Sequence, residues 1–397
     1  MNRQTLQAFV AFGLVTLGAA PAPAQAQDAS QPTINYGWTV TPSLLANVTF
    51  DNNALTRSTG GETPADLVNV VNPRIAADFK GRRGEFEGSY DGAFRLYRSL
   101  DTLNSYDQQG SASGRRRVSP HVTLFSGYQM FTAPTTELLQ LVGVPYVRTG
   151  STSNTLNGGV DAALSKRLSL SASYNFQVVD FEQTDPFNPN LVGGHSHSAR
   201  ANLRRAMSAR LSLTANYNLE IATVGAIADA FEIHTAEGGA DYRISEHTRV
   251  YGSGGIARLA VNIAGAARTG PSLHAGVVHD FKAGSVDGGY SRSFVPSYGF
   301  GGTQENEELT GHVRVPVAQY GYAQSSVAWR RNEPLVLGGP KLGTIFVQAS
   351  IGYLLAPWAA IEGFYDSHSQ EIAGPGGEIS RRRIGAQIIT TKSMRIR

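Results

Sequence analysis

Apolar and polar residues alternate strictly over long stretches of this chain. In residues 168–177, Leu, Ala, Tyr and Phe occupy every second position, and Ser, Asn and Gln fill the others. Nearly the same pattern returns 43 residues later, in residues 211–220. Strict alternation predicts β-strands with one apolar and one polar face, and the recurrence indicates a repeated hairpin.

Short polar segments divide the alternating runs into hairpins. The tight turns that we predict are residues 81–84, 118–120, 166–167, 208–209, 245–246, 283–284, 318–319 and 357–358. Eight hairpins give sixteen strands, and residues 37–51 and 378–391 add one strand at each end. The pattern therefore predicts about eighteen strands, with sixteen as the alternative.

The connections at the opposite strand ends are longer and rich in Gly, Pro, Asn, Asp and Thr. They cover residues 52–65, 133–150, 184–194, 297–304 and 332–339. Short turns at one end and long loops at the other are typical of outer-membrane barrels. The runs are also longer than the 5–6 residues usual for strands of soluble proteins. A propeller repeat of similar length contains four short strands, whereas each repeat here contains two long runs. We predict an all-β fold, a transmembrane antiparallel up-and-down β-barrel.

One face of these strands is nearly free of charge. Examples are Leu44, Val48 and Phe50 in the first strand and Val313 and Val315 in a later one. A charge at the bilayer midplane costs about 2–4 kcal/mol, so only this face can meet lipid. Glycines interrupt it, which is a poor way to fill the core of a soluble sandwich.

Composition agrees with this division of faces. Of the 397 residues, 16% are charged and 41% are hydrophobic, whereas ordinary soluble domains carry about 25% charged residues. A net charge of +3 does not favour nucleic-acid binding. The absence of Cys excludes disulfides and thiolate metal sites, and it fits passage through an oxidising compartment.

The amino terminus has the layout of a secretory signal. Arg3 precedes a mostly apolar stretch over residues 6–20, and residues 21–27 offer small residues with A-x-A spacing. We expect a signal peptide at residues 1–26, a short periplasmic segment at 27–36 and the outer-membrane barrel at 37–397. An anchoring helix is the alternative, but the apolar stretch is too short for it.

Three tryptophans fit an aromatic girdle at the membrane interfaces. Trp38 opens the first strand, Trp358 lies at the last short turn, and Trp329 lies towards the long-loop end of its strand. Amphipathic rings prefer these depths in a bilayer.

The polar face would line a lumen. The inward candidates are Glu85, Glu87, Asp91, Arg95, Asp161, Arg200, Arg204, Glu220, Glu237, Asp241, Arg243, Glu308, Arg314, Arg381 and Arg383. These charges either pair across strands and stiffen the wall or form a patch that selects solutes. Arg382, between two inward arginines, is expected to point outward.

One long loop is more apolar than a solvated loop needs to be. Residues 133–150 contain Leu138, Leu139, Leu141 and Val142. An eighteen-strand barrel is wide enough for an aqueous channel unless something folds inside it. We therefore expect this loop either to constrict the lumen or to pack on the rim.

No motif points to catalysis or to a bound cofactor. His195 and His197 share one side of a strand, but no acidic third ligand stands at a fixed short spacing. The sequence contains no G-x-S-x-G elbow and no phosphate-binding loop. We expect neither an enzyme nor a metal or organic cofactor.

Residues 41–53, TPSLLANVTFDNN, and 66–75, DLVNVVNPRI, resemble the first two strands of the outer-membrane β-barrel porins of the "porin 2" group. The resemblance extends over about residues 37–391 and implies no catalytic residues. It implies a porin-like channel for small polar solutes in the outer membrane, with lipid, lipopolysaccharide and the barrel-assembly machinery as partners. An outer-membrane component of polysaccharide export is one alternative, because members often accompany such systems. A structural or adhesive barrel and a membrane-embedded hydrolase are others.

The carboxyl terminus departs from that pattern. Outer-membrane barrels usually end in an aromatic residue, whereas this chain ends in KSMRIR. Either the assembly signal is internal or these residues extend past the final strand.

Overall fold

The computed structural model describes residues 36–58, 61–139, 141–182, 191–225, 230–261, 267–281, 283–336, 339–373 and 377–396. Within elements, the side chains of residues 137, 139, 261 and 336 are not described. The expected signal peptide and all but the last residue of the segment at 27–36 lie outside these ranges.

Over these residues the chain forms eighteen long strands, and a short nineteenth segment continues the last one. They are β1 Gly37–Asp51, β2 Asp66–Lys80, β3 Gly84–Tyr97, β4 Ser105–Ser119, β5 Val122–Ala133, β6 Ser151–Ala163, β7 Leu168–Phe181, β8 Gly194–Ala206, β9 Leu211–Val224, β10 Phe231–Arg243, β11 Thr248–Val261, β12 Arg268–Phe281, β13 Gly284–Pro296, β14 Thr303–Pro316, β15 Gly321–Val336, β16 Leu342–Ala356, β17 Ala359–Ile372, β18 Gly377–Thr391 and β19 Met394–Ile396. The predicted strand number of eighteen is confirmed, and the alternative of sixteen is wrong.

Each strand pairs antiparallel with the next, and β1 also pairs with β18. That closing ladder runs from Ser43 opposite Thr391 to Asp51 opposite Arg383. Closure leaves no sheet edge, so every strand finds its backbone hydrogen-bond partners within the wall. The predicted transmembrane antiparallel up-and-down barrel is therefore confirmed.

Helical structure is minor in the described residues. A single turn, α1, spans Thr136–Leu139, and a 3₁₀ turn spans Asp101–Leu103. No helix in the described part of the chain is long and apolar enough to cross a membrane.

The ends of two strands differ from the sequence prediction. β15 continues to Val336, so most of the loop that we predicted at 332–339 is strand, and Glu333 lies opposite Glu305 in the ladder. At the carboxyl end, Met394–Ile396 pair with β1 opposite Trp38–Val40. The last residues therefore extend the closing seam after a break at 392–393, although they contain no aromatic residue.

The outer surface is apolar. Side chains such as Leu44, Ile256, Ile351 and Ile384 are 43–60% exposed and point away from the lumen. An apolar belt around a closed barrel is incompatible with water and matches a bilayer. The barrel therefore lies in the outer membrane, as the sequence predicted.

Trp38 and Trp358 lie on this belt at the short-turn end. Trp38 is 42% exposed and packs beside Phe79, with ring centroids 5.1 Å apart, whereas Trp358 is 56% exposed. Trp329 is half-buried and lies opposite the exposed Leu309 on β14. Because β15 continues to Val336, Trp329 is the ninth of its sixteen residues, and its predicted place towards the long-loop end is wrong.

Neighbouring residues on β14 test the assignment of the two faces. Val313 is 41% exposed on the outer surface, and His312 points inward opposite Asp287. We expect Val313→Arg to destabilise the folded barrel by about 2–4 kcal/mol, because its charge would enter lipid.

We expect His312→Arg to have little effect, because the lumen solvates a charge and Asp287 faces it. Urea unfolding of protein in lipid vesicles, followed by tryptophan fluorescence, measures both free energies. Equal losses for the two variants would contradict the assigned faces.

Candidate functional site

The segment over residues 134–150, here called the inward loop, folds into the barrel instead of projecting from it. Val144 and Val147 are 2% and 6% exposed. They belong to a buried apolar cluster with Ile233 on β10 and Leu259 on β11. Burial of these side chains explains why this loop is richer in apolar residues than a solvated loop needs to be.

A glutamine on a distant strand anchors the inward loop. The Tyr146 amide donates to Oε1 of Gln370 on β17 at 2.6 Å, and Nε2 of Gln370 donates to the Val144 carbonyl at 3.1 Å. Gln370 is 2% exposed, and Nε2 also contacts Thr344 Oγ1 at 3.2 Å. The loop leaves the wall between β5 and β6, so this anchor on β17 holds it across the lumen.

Further contacts fix the path of the inward loop. The Thr136 hydroxyl donates to the Pro145 carbonyl at 2.6 Å, and the Thr136 amide donates to the Val147 carbonyl at 3.0 Å. Arg148 donates to the Leu103 carbonyl at 2.6 Å. The loop is therefore tied to itself and to the region between β3 and β4 as well as to β17.

Two other segments narrow the same mouth of the barrel. Val192 and Gly299 form a β-bridge, and Tyr298 reaches Ser196 on β8 with its hydroxyl oxygen 3.1 Å from the serine oxygen. On the other side, Ser58 bridges to Ile379 on β18. Together with the inward loop, these contacts form a constriction at the long-loop end.

The four predicted loop residues lie beside the most buried part of the loop. Leu138, Leu141 and Val142 are half-buried, Leu141 packs against the apolar cluster, and the side chain of Leu139 is not described. The buried stretch is residues 143–147, which the sequence analysis largely missed. A β-branched and proline-containing run, VGVPYV, was the available signal.

The alternation of each strand places the fifteen charged candidates on the inner face. Partners one or two strands away are Asp107 for Arg95, Arg115 for Asp161, Arg249 for Asp241, His274 for Glu237, Arg330 for Glu308, Asp51 for Arg381 and Asp366 for Arg383. Arg204 also contacts Asp241, at 3.5 Å.

Other candidates lie opposite charged or polar residues. Asp91 faces Arg74, Glu85 faces Lys80, and Glu87 faces Asp78 in the β2–β3 ladder. Arg200 faces Asn218, two ladder positions from Glu220 opposite Ser198. Arg243 faces Arg249 close to a short turn. Arg314 lies beside the ring of Tyr322, 5.5 Å from its centroid.

The most buried ion pair joins the first and last strands. Arg381 is 3% exposed and Asp51 is fully buried, and Nε of Arg381 lies 2.9 Å from Asp51 Oδ2. Asn53 and Thr56 of the loop after β1 lie over this pair, and both are buried. The pair therefore ties the barrel seam to a loop that folds inward.

Strand parity would have placed some of the missed partners on the inner face. Asp51 directly follows Phe50, which was assigned to the lipid face, and Arg330 directly follows Trp329, which was assigned to the membrane interface. Pairing itself depends on register, which the sequence left open. Arg115 lies within a run of three arginines, so its face was ambiguous.

The paired histidines lie on the outer face. His197 faces outward on β8, where the hydroxyl of the outward Tyr174 lies 2.5 Å from Nδ1 of the histidine. Within the described ranges, no group of three or more His, Asp or Glu side chains could hold a metal ion.

Comparison with known proteins finds similarity in structure but not in sequence. The sequence matches no family model and no curated protein sequence. Acinetobacter baumannii OccAB4 is 10% identical with a TM-score of 0.50, and the match covers 91% of this chain and 100% of that one. Acinetobacter baumannii OccAB2 is 12% identical with a TM-score of 0.49, covering 90% and 98%. The outer membrane protein opdK from Pseudomonas aeruginosa is 8% identical with a TM-score of 0.47, covering 91% and 100%.

At these identities the likeness concerns the fold. The similarity to OccAB4 agrees with a closed barrel of this size. The eighteen-strand architecture in turn fits the resemblance to outer-membrane porins that the sequence showed.

Removing the anchor should loosen the inward loop. We expect Gln370→Ala to leave the Tyr146 amide and the Val144 carbonyl without their buried partner, at about 1–3 kcal/mol each. Hydrogen exchange of residues 143–147, measured by mass spectrometry, should be at least about tenfold faster.

Ser369→Ala is the matched control, because Ser369 directly precedes Gln370 on β17 and its side chain points outward. Unchanged exchange in Gln370→Ala would show that the apolar contacts alone hold the loop.

The buried pair at the seam should carry more stability than an exposed one. We expect Arg381→Met to cost about 3–5 kcal/mol, because it leaves the Asp51 carboxylate buried without its partner. Arg331→Met removes one of the two basic partners of Glu333 on the exposed outer rim, the other being Lys341, and should cost less than about 1 kcal/mol.

Urea unfolding in vesicles compares the two variants under the same conditions. Equal costs would show that Asp51 is not held as a buried charge.

Proposed function

We propose that this protein is a porin-like channel that lets small polar solutes cross the outer membrane passively. The main support for the proposal is the composition of the inner wall. Acidic and basic side chains pair across its strands, below the constriction that the loops form. Barrels of 16–18 strands enclose an aqueous channel when no domain fills them. Paired charges keep such a lumen polar without giving it a strong field of either sign.

The inward loop defines the narrowest part of the proposed path. It crosses from β5 and β6 to Gln370 on β17, so a solute must pass between the loop and the remaining wall. The proposed transport needs no catalytic residue and no cofactor. The proposed partners in the membrane are lipid, lipopolysaccharide and the barrel-assembly machinery.

The alternatives have less support. None of the structural neighbours described above favours polysaccharide export. A structural or adhesive barrel would have no use for an anchored loop across an otherwise polar lumen.

Planar-bilayer recording of the purified protein tests the channel. We expect single-channel currents, with higher conductance for a variant that lacks residues 138–144, because the deletion removes part of the constriction. Lys166→Ala, in a short turn at the opposite end, should conduct like the unmodified protein.

Two outcomes would count against this proposal. Absence of current from a barrel that still shows heat-modifiable gel mobility would overturn the channel. Unchanged conductance after the deletion would leave the channel but remove the inward loop as its narrowest point.

A further inference from the structure

Four aromatic side chains of the inner wall share one arrangement. Each stands directly opposite a glycine on the next strand: Phe125 opposite Gly159, Tyr251 opposite Gly276, Tyr322 opposite Gly352 and Phe364 opposite Gly385. All eight residues fall on inward positions of their strands. The pairing therefore recurs at four places around the lumen.

In each pair the ring leans over the glycine. A Cβ at any of the four glycines would lie closer than 3.0 Å to the tip of the opposite ring. At Gly159 the distance to Phe125 Cζ would be 2.6 Å, and at Gly385 the distance to Phe364 Cζ would be 2.8 Å. The tip of each ring thus occupies the space that a side chain at the opposite glycine would fill, on the inner surface of the wall.

The four rings lie in the short-turn half of the barrel and are here called the aromatic band. Each lies within the first six residues of a strand that leaves a short turn: β5, β11, β15 and β17. Tyr251 is 41% exposed although it lies inside the barrel, and the other three are half-buried. The band therefore surrounds the lumen in its short-turn half, away from the inward loop.

Ion-paired polar groups lie next to the band. Arg115 lies opposite Phe125 in the ladder and donates to Asp161 at 2.8 Å. Arg249 Cζ lies 5.6 Å from the centroid of the Tyr251 ring, and its Nε donates to Asp241 at 2.9 Å.

The other two rings have similar neighbours. Tyr322 donates to Glu362 at 2.7 Å, and Arg314 lies beside its ring. Asp366, the next inward residue after Phe364 on β17, accepts from Arg383 at 2.7 Å. Four basic and four acidic side chains thus flank the four rings. Further charges adjoin them, since Arg204 contacts Asp241, Arg243 lies opposite Arg249 and Glu85 lies opposite Arg115, so both signs are interspersed around the band.

We propose that the aromatic band binds neutral oligosaccharides on their way through the channel. The C–H groups on one face of a pyranose ring carry partial positive charge and are attracted to the negative face of an aromatic ring. The hydroxyls at the sugar edge can donate to carboxylates and accept from guanidinium groups, and both lie beside each ring. Interspersed charges of both signs give the band no strong field of either sign, so it offers an ionic solute no advantage over an uncharged one. This inference rests on the proposed channel and names its substrate class.

The chain supplies a control for a purely structural role of such rings. Tyr106 on β4 covers Gly92 on β3, but this pair faces lipid. An aromatic ring over a glycine stabilises a sheet on either face. Only the inward rings are in a position to touch a solute.

Maltohexaose added during bilayer recording tests the proposal. We expect brief, concentration-dependent interruptions of the ionic current. In the double variant Phe125→Leu with Phe364→Leu, we expect the dissociation constant for block to rise about tenfold, because leucine keeps the apolar bulk but lacks the aromatic face. In Tyr106→Leu, maltohexaose should block the current with the same dissociation constant as in the unmodified protein.

An oligogalacturonate of the same length should block no more tightly than maltohexaose, because the band offers no excess positive charge. Tighter block by the anionic sugar would overturn the neutral substrate class. Equal block in the unmodified protein and the double variant would overturn the role of the aromatic band.

Saturation-transfer NMR of maltohexaose with detergent-solubilised protein detects binding without current. Current without block and without saturation transfer would overturn the sugar proposal and leave the channel intact. Saturation transfer that is lost in the double variant, from a protein that carries no current, would support the sugar site and overturn the channel.

Discussion

The hydrogen-bonded seam between β1 and β18 is the contact on which the rest of the molecule depends. A backbone group without a partner in hydrocarbon costs several kcal/mol, so an open sheet could not cross the membrane. The ladder from Ser43–Thr391 to Asp51–Arg383 supplies the last set of partners. The salt bridge between Asp51 and Arg381 lies at the long-loop end of this seam, and β19 extends it at the other end. Closure also creates the inside of the barrel, and with it a lumen that paired charges can line.

The inner wall combines two kinds of interaction with different consequences. Towards the long-loop end, buried contacts such as those of Gln370 with the inward loop are specific and fill space. Towards the short turns, aromatic side chains cover glycines on the neighbouring strand, as Phe364 covers Gly385. At the four glycines of the aromatic band the wall has no gap, because the opposite ring covers each of them. The two halves of the lumen would act on a solute in turn, one through width and the other through surface chemistry.

Much of this architecture was predictable because a membrane barrel imposes a period of two on the sequence. The first strand was predicted at Gly37–Asp51, as the structure has it, and the outward positions of Leu44 and Val313 follow from alternation. Register was not predictable, because shifting two strands by two residues preserves both faces. Alternation placed Arg383 on the inner face, but its partner Asp366 could not be identified without the register. The aromatic–glycine pairs were hidden in the same way, since they are adjacent only across strands.

The sequence by itself determined that the chain is a barrel of about eighteen strands and which face of each strand meets lipid, because those properties follow from local alternation and turn spacing. Only the tertiary structure decided where the loop at 134–150 goes and which charges meet. Whether an apolar loop packs on the rim or crosses the lumen depends on a partner such as Gln370, more than two hundred residues away. The same holds for the aromatic band, because cross-strand register and closure, which are not local, place each of its four rings opposite a glycine on the inner wall.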